Sequence, residues 1–361
     1  MRPPVIYAVP TIGPEEQAAL ERIEELRSQL RYFVAEPRRW VGMVRRVLSA
    51  RAIQGSNGIE GYNVSVEDAV AAIEGEDPAE ARDEDWHAVM GYRRALTYVI
   101  QLAQDEHFSY NAGLIRSLHF MMTDYSLDAG PGLWRPGAIW IRNDQTGVVV
   151  YEGPDHEKVP WLIDELIDQL HQTTDVAPPV RAAMAHLNLA MIHPFRDGNG
   201  RMARCLQTLV LAREGILASE FSSIEEYLGA NTQGYYDVLA DVGQGAWHPE
   251  RDARPWVRFC LTAHFVQATS VLRRMHESER VWLALDQLLE EHRRQPRCES
   301  ALFDATLGLR VRNATYRAGL KSWQEELSHA TATTDLAAMV KAGLLERRGQ
   351  KRGTYYVAGP P

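Results

Sequence analysis

Residues 193–204 read His-Pro-Phe-Arg-Asp-Gly-Asn-Gly-Arg-Met-Ala-Arg, and this stretch joins two predicted helices. Residues 180–192 before it and 201–213 after it carry Ala and Leu at helical spacing. Gly198 and Gly200 let the backbone turn tightly and approach an anion, and the free amides at the start of the second helix attract phosphate. The stretch therefore predicts a phosphate site at a helix N-terminus.

The charged side chains of this stretch suit phosphate chemistry. Arg201 and Arg204 lie three residues apart on one helical face, so both guanidinium groups can reach successive phosphates. Asp197 suits an oxygen-seeking ion such as Mg²⁺ bound to the same phosphates. His193 is a proton acceptor near neutral pH. These residues predict a phosphate site with a general base beside it.

The stretch resembles the signature of the Fic domain, which has a His, a Phe, an acidic residue, Gly-Asn-Gly-Arg and a second Arg. The resemblance implies an all-α Fic-type helical bundle with a small β-hairpin, and transfer of AMP from ATP to a Tyr, Thr or Ser hydroxyl of a protein. It implies that His193 is the base and that Asp197 holds Mg²⁺. The implied nucleotide contacts are Gly198, Asn199, Gly200, Arg201 and Arg204, with Asn199 either shaping the loop or contacting a phosphate.

A second stretch, 56–61, reads Ser-Asn-Gly-Ile-Glu-Gly and predicts a helix end followed by a Gly-rich turn. It is similar to the inhibitory helix of one class of Fic proteins, with Ser56, Glu60 and Gly61 at the matching positions. The resemblance implies that an inhibitory helix covers about residues 50–61 and that Glu60 pairs with Arg204. A carboxylate there occupies the place of the γ-phosphate and excludes ATP or holds it unproductively.

Residues 137–142 and 147–151 flank Asn143-Asp144-Gln145-Thr146, and the pattern predicts a β-hairpin. An exposed hairpin can pair with an extended peptide, main chain to main chain. In Fic proteins a hairpin at this place in the chain positions the target. We therefore expect a protein substrate, or the chain itself in self-modification, to bind along 137–151. The alternative is that the hairpin only covers the core.

Two further patterns concern ligands. Residues 219–236 predict a helix whose Asn231 and Tyr236 resemble residues near the adenosine in Fic proteins, although paired tyrosines also serve packing. His186 lies seven residues before His193, and with Asp197 the two suggest a metal site. We reject that interpretation, because two imidazoles and one carboxylate are a thin ligand set and the Gly-Asn-Gly-Arg segment would be unexplained.

The C-terminal segment predicts a winged helix-turn-helix. Residues 331–340 predict its second helix, and residues 343–356 predict a two-stranded wing. Residues 297–361 contain ten Lys or Arg and six Asp or Glu, a net charge of +4. This positive charge permits the C-terminal segment to contact DNA phosphates. We favour a role of the segment in dimerisation or target docking over DNA binding. The basic residues of the wing are Arg347, Arg348, Lys351 and Arg352.

Composition limits the protein class. The chain has 361 residues, 45% hydrophobic content and a net charge of −9, which argues against a protein coated by nucleic acid. Three widely spaced cysteines, the lack of a signal segment and the lack of a membrane-length apolar run favour a cytoplasmic protein. The expected domains are an N-terminal helical region (1–105), a Fic core (106–275) and a winged-helix domain (280–361). Helices are expected separately over 256–275 and 282–291.

Three functional hypotheses follow. The leading one is a protein adenylyltransferase that Glu60 inhibits. In the second, the same site removes AMP, with Glu60 orienting a water, or it uses another nucleotide, since the motif does not read the base. In the third, the protein is a DNA-binding regulator whose Fic core senses a nucleotide.

Overall fold

A computed structural model describes residues 4–36, 38–78, 81–142, 146–215, 218–321, 324–350 and 353–359, and these are mostly helical. The α-helices are α1 (Pro14–Val34), α2 (Arg39–Ile59), α3 (Val66–Glu74), α4 (Asp83–Leu102), α5 (Ala112–Thr123), α6 (Val159–Gln172), α7 (Pro178–Ile192), α8 (Asn199–Arg213), α9 (Ser219–Ser222), α10 (Glu225–Ala230), α11 (Thr232–Gly243), α12 (Arg254–Glu291), α13 (Cys298–Thr306), α14 (Asn313–Lys321) and α15 (His329–Lys341). Two antiparallel hairpins pair β1 (Trp140–Arg142) with β2 (Val149–Glu152), and β3 (Leu345–Arg348) with β4 (Tyr355–Ala358). The predicted all-α fold with a small hairpin is confirmed.

The chain forms two compact units, and each is discontinuous in sequence. The first consists of Met1–Leu30, Arg51–Ser65 and Glu80–Thr269. The second consists of Arg31–Ala50, Val66–Ala79 and Ser270–Pro361. The stretch 193–204 and the hairpin β1–β2 therefore belong to the first unit.

Helices α7 and α8 form the centre of the first unit. Nearly all their residues are buried, so polar side chains of both helices, such as Asn188 of α7 and Arg204 of α8, lie inside the protein. Two prolines open α7, where their missing N–H groups cost nothing, and the helix ends at His193 in the left-handed region with φ 51°. Gly198, with φ 73°, precedes the first turn of α8. The stretch 193–204 is thus the sharp connection between two buried helices.

The core beside α7 is closed by the start of the chain and by α12. Asn188 of α7 accepts from the Tyr7 amide through Oδ1 at 2.8 Å and donates to the Tyr7 carbonyl through Nδ2 at 3.0 Å. Trp256 of α12 is fully buried, and its indole donates to the Ala183 carbonyl at 2.7 Å. These hydrogen bonds pair polar groups inside an apolar cluster, where a buried polar group without a partner would lower the stability of the fold.

Two helix predictions were wrong. A single helix, α12, replaces the separate helices expected over 256–275 and 282–291, because residues 276–281 contain neither Gly nor Pro to end the first one. The helix expected over 219–236 is divided into α9, α10 and α11. Asn231 has φ −126° and lies between α10 and α11, at a helix end where Asn is favoured over the helix interior.

Within the second unit, α13, α14 and α15 precede the hairpin β3–β4, and Val311 pairs with Tyr356 of β4. The helix predicted over 331–340 lies inside α15, whose N-cap is Ser328. Lys351 and Arg352 of the expected wing, and Asn143, Asp144 and Gln145 of the expected hairpin turn, lie outside the described residues.

Two general expectations concern cysteines and membranes. Cys205, Cys260 and Cys298 are all buried free thiols. Among the residues with a described position, no helix is long and apolar enough to cross a membrane.

Helices α2 and α10 touch through their backbones at a pair of glycines in the first unit. A Cβ added to Gly55 would lie 2.5 Å from the Glu225 carbonyl oxygen, and one added to Gly229 would lie 2.6 Å from the Gly55 Cα. Gly58, one turn further along α2, would meet nothing within 4 Å. The absence of a side chain at Gly55 and Gly229 therefore sets how closely the end of α2 approaches α10.

This contact predicts opposite effects for two Gly→Ala changes in one helix. Gly55→Ala should lower the free energy of unfolding by about 1–3 kcal/mol, because the methyl group forces the helices apart. Gly58→Ala is the matched control, and it should leave stability unchanged or raise it by up to about 1 kcal/mol through helix propensity. Urea denaturation of both variants measures the difference, and equal stability of the two would contradict the close approach.

Candidate active site

The loop between α7 and α8 is held in shape by its own residues. The Asn199 side chain accepts from the Phe195 amide at 2.8 Å and donates to the Phe195 carbonyl at 2.9 Å. The Phe195 ring is fully buried and stacks on His119, with ring centroids 3.7 Å apart. Both polar atoms of the Asn199 side chain thus form hydrogen bonds within the loop.

His119 supports this loop from α5. The Gly132 amide donates to His119 Nδ1 at 2.9 Å, so Nε2 carries the proton and donates to the Asp197 carbonyl at 2.9 Å. Burial lowers the pKa of His119 to about 4, so the ring is neutral at neutral pH. Nothing in the sequence marked His119 for this role, since its partners lie in two distant loops.

His193 presents one nitrogen as a base. Its Nδ1 lies 3.1 Å from the Ala190 carbonyl oxygen, which can only accept, so the neutral ring carries its proton on Nδ1. The lone pair of Nε2 is then available. Burial lowers the pKa of His193, the Arg135 charge acts in the same direction, and the Ala190 carbonyl and Glu60 oppose them. His193 is therefore a neutral proton acceptor at neutral pH.

Arg135 connects His193 to the hairpin. Its guanidinium donates to the His193 carbonyl at 2.9 Å, to the Gly137 carbonyl at 2.7 Å and to the Pro154 carbonyl. Gly137 and Pro154 lie on either side of the hairpin β1–β2, so one buried side chain joins both ends of the hairpin to the backbone of His193. Sequence patterns gave no signal for Arg135, a single Arg ahead of a predicted strand.

Arg201 and Arg204 are both buried, and Arg204 is held by the end of α2. Its Nε donates to Ser56 Oγ at 2.7 Å, and its Nη2 donates to the Ser56 carbonyl at 2.9 Å and to Glu60 Oε1 at 2.7 Å. A Cβ added to Gly200 would collide with the Glu60 carboxylate, so this carboxylate lies directly against the first turn of α8. The structure thus places Ser56 and Glu60 on Arg204.

A second carboxylate lies beneath Arg204. Glu225 is buried and accepts from the Tyr92 hydroxyl and from the Thr208 hydroxyl, each at 2.8 Å. Burial raises the pKa of Glu225, while its hydrogen bonds and the charge of Arg204 oppose this rise. Glu60 is thus the carboxylate that bonds to Arg204, and Glu225 is a second, buried acid whose pKa the charge of Arg204 lowers.

Several buried donors at this site have no acceptor. Among the described residues, Nε and Nη2 of Arg201 and Nη1 of Arg204 have no hydrogen-bond partner. Buried guanidinium N–H groups without partners are costly, and the start of α8 adds free amides and a positive dipole end beside them. Together these donors fit an anion with several oxygens, such as a chain of phosphates.

Asp197 is the only acidic residue in 193–204. Its side chain is 56% exposed, and its Oδ2 atom lies 4.0 Å from Arg201 Nη2. No group of three or more His, Cys, Asp or Glu able to hold a metal occurs in the described part of the chain. A single exposed carboxylate fits Mg²⁺ that takes its other ligands from phosphates and water.

Both ring nitrogens of His186 have other partners. Nδ1 lies 2.6 Å from Gln207 Oε1, and Nε2 lies 3.0 Å from the Tyr235 hydroxyl.

The two residues suggested for adenosine are placed differently. Tyr236 is 45% exposed, and its hydroxyl donates to the Ile59 carbonyl at 3.3 Å, beside Glu60. Asn231 is exposed, and its side chain donates to the Tyr227 carbonyl at 2.8 Å. The structure therefore brings Tyr236 to the end of α2, and Asn231 stays a prediction.

Comparison with known proteins finds one family. Residues 109–211 match the model of the Fic/DOC family. A relative from Nematostella vectensis, named protein adenylyltransferase Fic, is 27% identical over 262 residues, which cover 70% of this chain and 55% of the relative. A protein adenylyltransferase of Caenorhabditis elegans is 30% identical over 122 residues, 32% of this chain and 24% of the relative. The chain thus spans about half or less of the length of these relatives.

Solved structures show the same fold. A Fic family protein from Desulfovibrio desulfuricans superposes with a TM-score of 0.60 at 23% identity, covering 98% of this chain and 99% of that one. A Fic protein from Caenorhabditis elegans superposes with a TM-score of 0.56 at 22% identity, covering 73% of this chain and 74% of that one. At these identities the likeness concerns the fold.

The buried state of His119 predicts acid sensitivity. Its pKa is about 4 in the folded chain and about 6.5 unfolded, so the unfolded state binds the proton first as pH falls. This histidine should therefore cost up to about 3 kcal/mol of stability between pH 6.5 and 4. Urea denaturation of the wild type and of His119→Gln at several pH values measures it. The free energy of unfolding of the wild type should fall more steeply with falling pH than that of His119→Gln. Equal pH dependence of the two proteins would contradict a buried, neutral His119.

Proposed function

We propose, since the chain belongs to the Fic/DOC family, that it transfers AMP from ATP to a hydroxyl of a protein and that Glu60 inhibits this transfer. The observation that supports the proposal is that a base lies in the same stretch as a cluster of buried, unpaired cationic donors. The base is Nε2 of His193, and the anion site consists of the unpartnered donors of Arg201 and Arg204 beside the start of α8.

The residues divide the chemistry between them. The ATP phosphates would lie on Gly198, Asn199 and Gly200, with Arg201 and Arg204 binding the outer phosphates. Nε2 of His193 would take the proton of the target hydroxyl as its oxygen attacks the α-phosphorus, and pyrophosphate would leave. Mg²⁺ held by Asp197 would neutralise the phosphate charge. Catalysis then rests on positioning and charge neutralisation.

The hairpin offers an edge for the target. β2 is paired with β1 on one side, and near its end Glu152 pairs with Ala246 on the other. In the part of the chain that the structure describes, no strand pairs with the outer edge of β1. We propose that an extended target segment, or a segment of a second copy, binds along 137–151 by pairing with β1. Arg135 ties this hairpin to His193, which supports delivery of the target hydroxyl to the base.

Inhibition follows from the contacts of Arg204. A phosphate oxygen needs the Nη2 donor that Glu60 holds at 2.7 Å, and two anions cannot share that donor without strong repulsion. The Ser56 contacts fix the same guanidinium from the helix side. We propose that ATP binds productively only when the Glu60 carboxylate leaves Arg204.

We propose that the chain has three domains, namely an N-terminal region (1–105) with the inhibitory helix, a catalytic core (106–275) and a winged helix (280–361). The order of α13, α14, α15 and the hairpin β3–β4 supports the winged helix, as does the pairing of Val311 with Tyr356. We favour dimerisation or target docking over DNA binding for this module.

Removal of the inhibitory carboxylate should increase labelling of proteins by radioactive ATP. Glu60→Gly should raise self- or target-labelling by at least about tenfold, because one buried charge-assisted contact is worth roughly 1.5–3 kcal/mol. Glu226→Gln is the matched control, since Glu226 contacts Arg51 and Gln267 instead. Adding His193→Ala to Glu60→Gly should abolish labelling.

Equal labelling by the wild type, Glu60→Gly and the double variant would overturn the transfer mechanism. Release of AMP from labelled protein by the wild type, with no gain of label in Glu60→Gly, would favour AMP removal instead.

The lowered pKa of His193 predicts the pH dependence of transfer. The base works only as the neutral ring, so the rate should be lost as pH falls through this pKa, which lies below the ordinary value of about 6.5. The initial labelling rate of Glu60→Gly between about pH 5 and 8 measures it. A midpoint of the acid limb at or above about 6.5 would contradict the buried, neutral histidine.

A further inference from the structure

Arg201 has different neighbours from Arg204. Its guanidinium lies 4.8 Å from the centroid of the Tyr62 ring, within the range of a cation–π contact. Its Nη1 donates to the Tyr125 hydroxyl at 3.4 Å, and Tyr125 donates in turn to the Tyr62 hydroxyl at 3.5 Å. The Arg201 side chain is fully buried, yet Nε and Nη2 have no hydrogen-bond partner among the described residues.

The unpartnered atoms lie on one edge of the guanidinium. Nε and Nη2 point their N–H groups in parallel, which is the fork that binds two oxygens of a carboxylate or phosphate. The nearest carboxylate, Asp197 Oδ2, is 4.0 Å from Nη2 and beyond hydrogen-bond reach. Tyr125 therefore accepts from Nη1, and the Tyr62 ring contacts Arg201 without accepting a hydrogen bond from Nε or Nη2, so this fork stays unpaired.

The position of Tyr62 is set by the end of α2. The Tyr62 amide donates to the Asn57 carbonyl at 3.1 Å, and the Gly61 amide donates to the Gly58 carbonyl at 3.1 Å. Gly61 has φ 85°, a conformation that glycine adopts without strain. Together these bonds form a Schellman cap, which fixes Glu60 and Tyr62 on either side of one glycine.

We propose that Tyr62 and Tyr125 are positioning residues that hold Arg201 with its Nε–Nη2 fork open for a phosphate of the nucleotide. The inference rests on the proposed function and deepens it. The segment 56–62 then acts on the two arginines in opposite ways. Glu60 occupies an N–H donor of Arg204 that a phosphate needs, whereas Tyr62 contacts Arg201 through its ring and leaves the Nε and Nη2 donors unpaired.

The test measures nucleotide affinity by calorimetry with Mg²⁺ present. The parent is the double variant Glu60→Gly, His193→Ala, which lacks the inhibitory carboxylate and does not turn over ATP. Tyr62→Leu, Tyr62→Phe and Tyr125→Phe are added to it one at a time. Tyr98→Leu, which changes an exposed tyrosine of α4, is the matched control.

Tyr62→Leu should weaken ATP binding about tenfold, as expected for a buried cation–π contact, and should change AMP binding less than about twofold. Tyr62→Phe keeps the aromatic face and should remain within about twofold of the parent. Tyr125→Phe should weaken ATP binding by roughly twofold to threefold, since it removes two long hydrogen bonds, the one from Arg201 and the one to Tyr62.

Four results would overturn the inference. An unchanged or increased ATP affinity in Tyr62→Leu would show that Tyr62 is neutral or obstructs the site. Equal losses of affinity for ATP and AMP would indicate that Tyr62 has a general structural role. A loss of ATP affinity in Tyr62→Phe as large as that in Tyr62→Leu would show that the aromatic ring of Tyr62 does not support ATP binding. A parent that fails to bind ATP would overturn the proposed function together with the inference.

Discussion

The burial of Arg201 and Arg204 is the constraint on which the site depends. A guanidinium removed from water destabilises the protein unless its donors and its charge find partners. Arg204 finds most of these partners in Ser56 and Glu60, and these contacts draw the end of α2 against α8 and α10. The glycines at Gly55 and Gly229 permit the approach by removing the side chains that would prevent it.

The two carboxylates near Arg204 differ in exposure and in partners. Glu60 is partly exposed, with 26% of its side chain accessible, whereas Glu225 is buried and accepts hydrogen bonds from Tyr92 and Thr208. Under the proposed function, a phosphate would take the place of Glu60 and keep a negative group on Arg204. The hydrogen bonds of Glu225 do not involve Glu60, so this exchange would leave them in place.

The sequence predicts those parts of the site that depend on neighbours in the chain. Spacing within 193–204 places two arginines on one helical face, and a Gly-rich turn follows from Gly198 and Gly200. Glu60 could be paired with Arg204 only through the resemblance to a family, since 144 positions separate them. Helix ends were predicted less well, as in α12, because no local residue marks where an amphipathic pattern stops.

The missed residues share one property. His119 reaches a carbonyl 78 positions away, and Arg135 reaches one 58 positions away. Their hydrogen-bond partners are backbone amide and carbonyl groups, which almost any residue supplies, so no pairing of residue types in the sequence indicates the contact. The same holds for the meeting of Gly55 and Gly229, where what matters is the absence of a side chain at both positions. Such contacts become visible only when the tertiary structure is known.

The three carbonyl contacts of Arg135 have a consequence for the hairpin. They hold it at its two ends, through Gly137 and Pro154, and not through the described residues between them. Under the proposed function, substitutions in that middle segment would change which target is recognised, while the His193 carbonyl keeps its contact with Arg135. Recognition and chemistry would then depend on different parts of the hairpin, so the hairpin could diversify in evolution or in the laboratory without displacing His193.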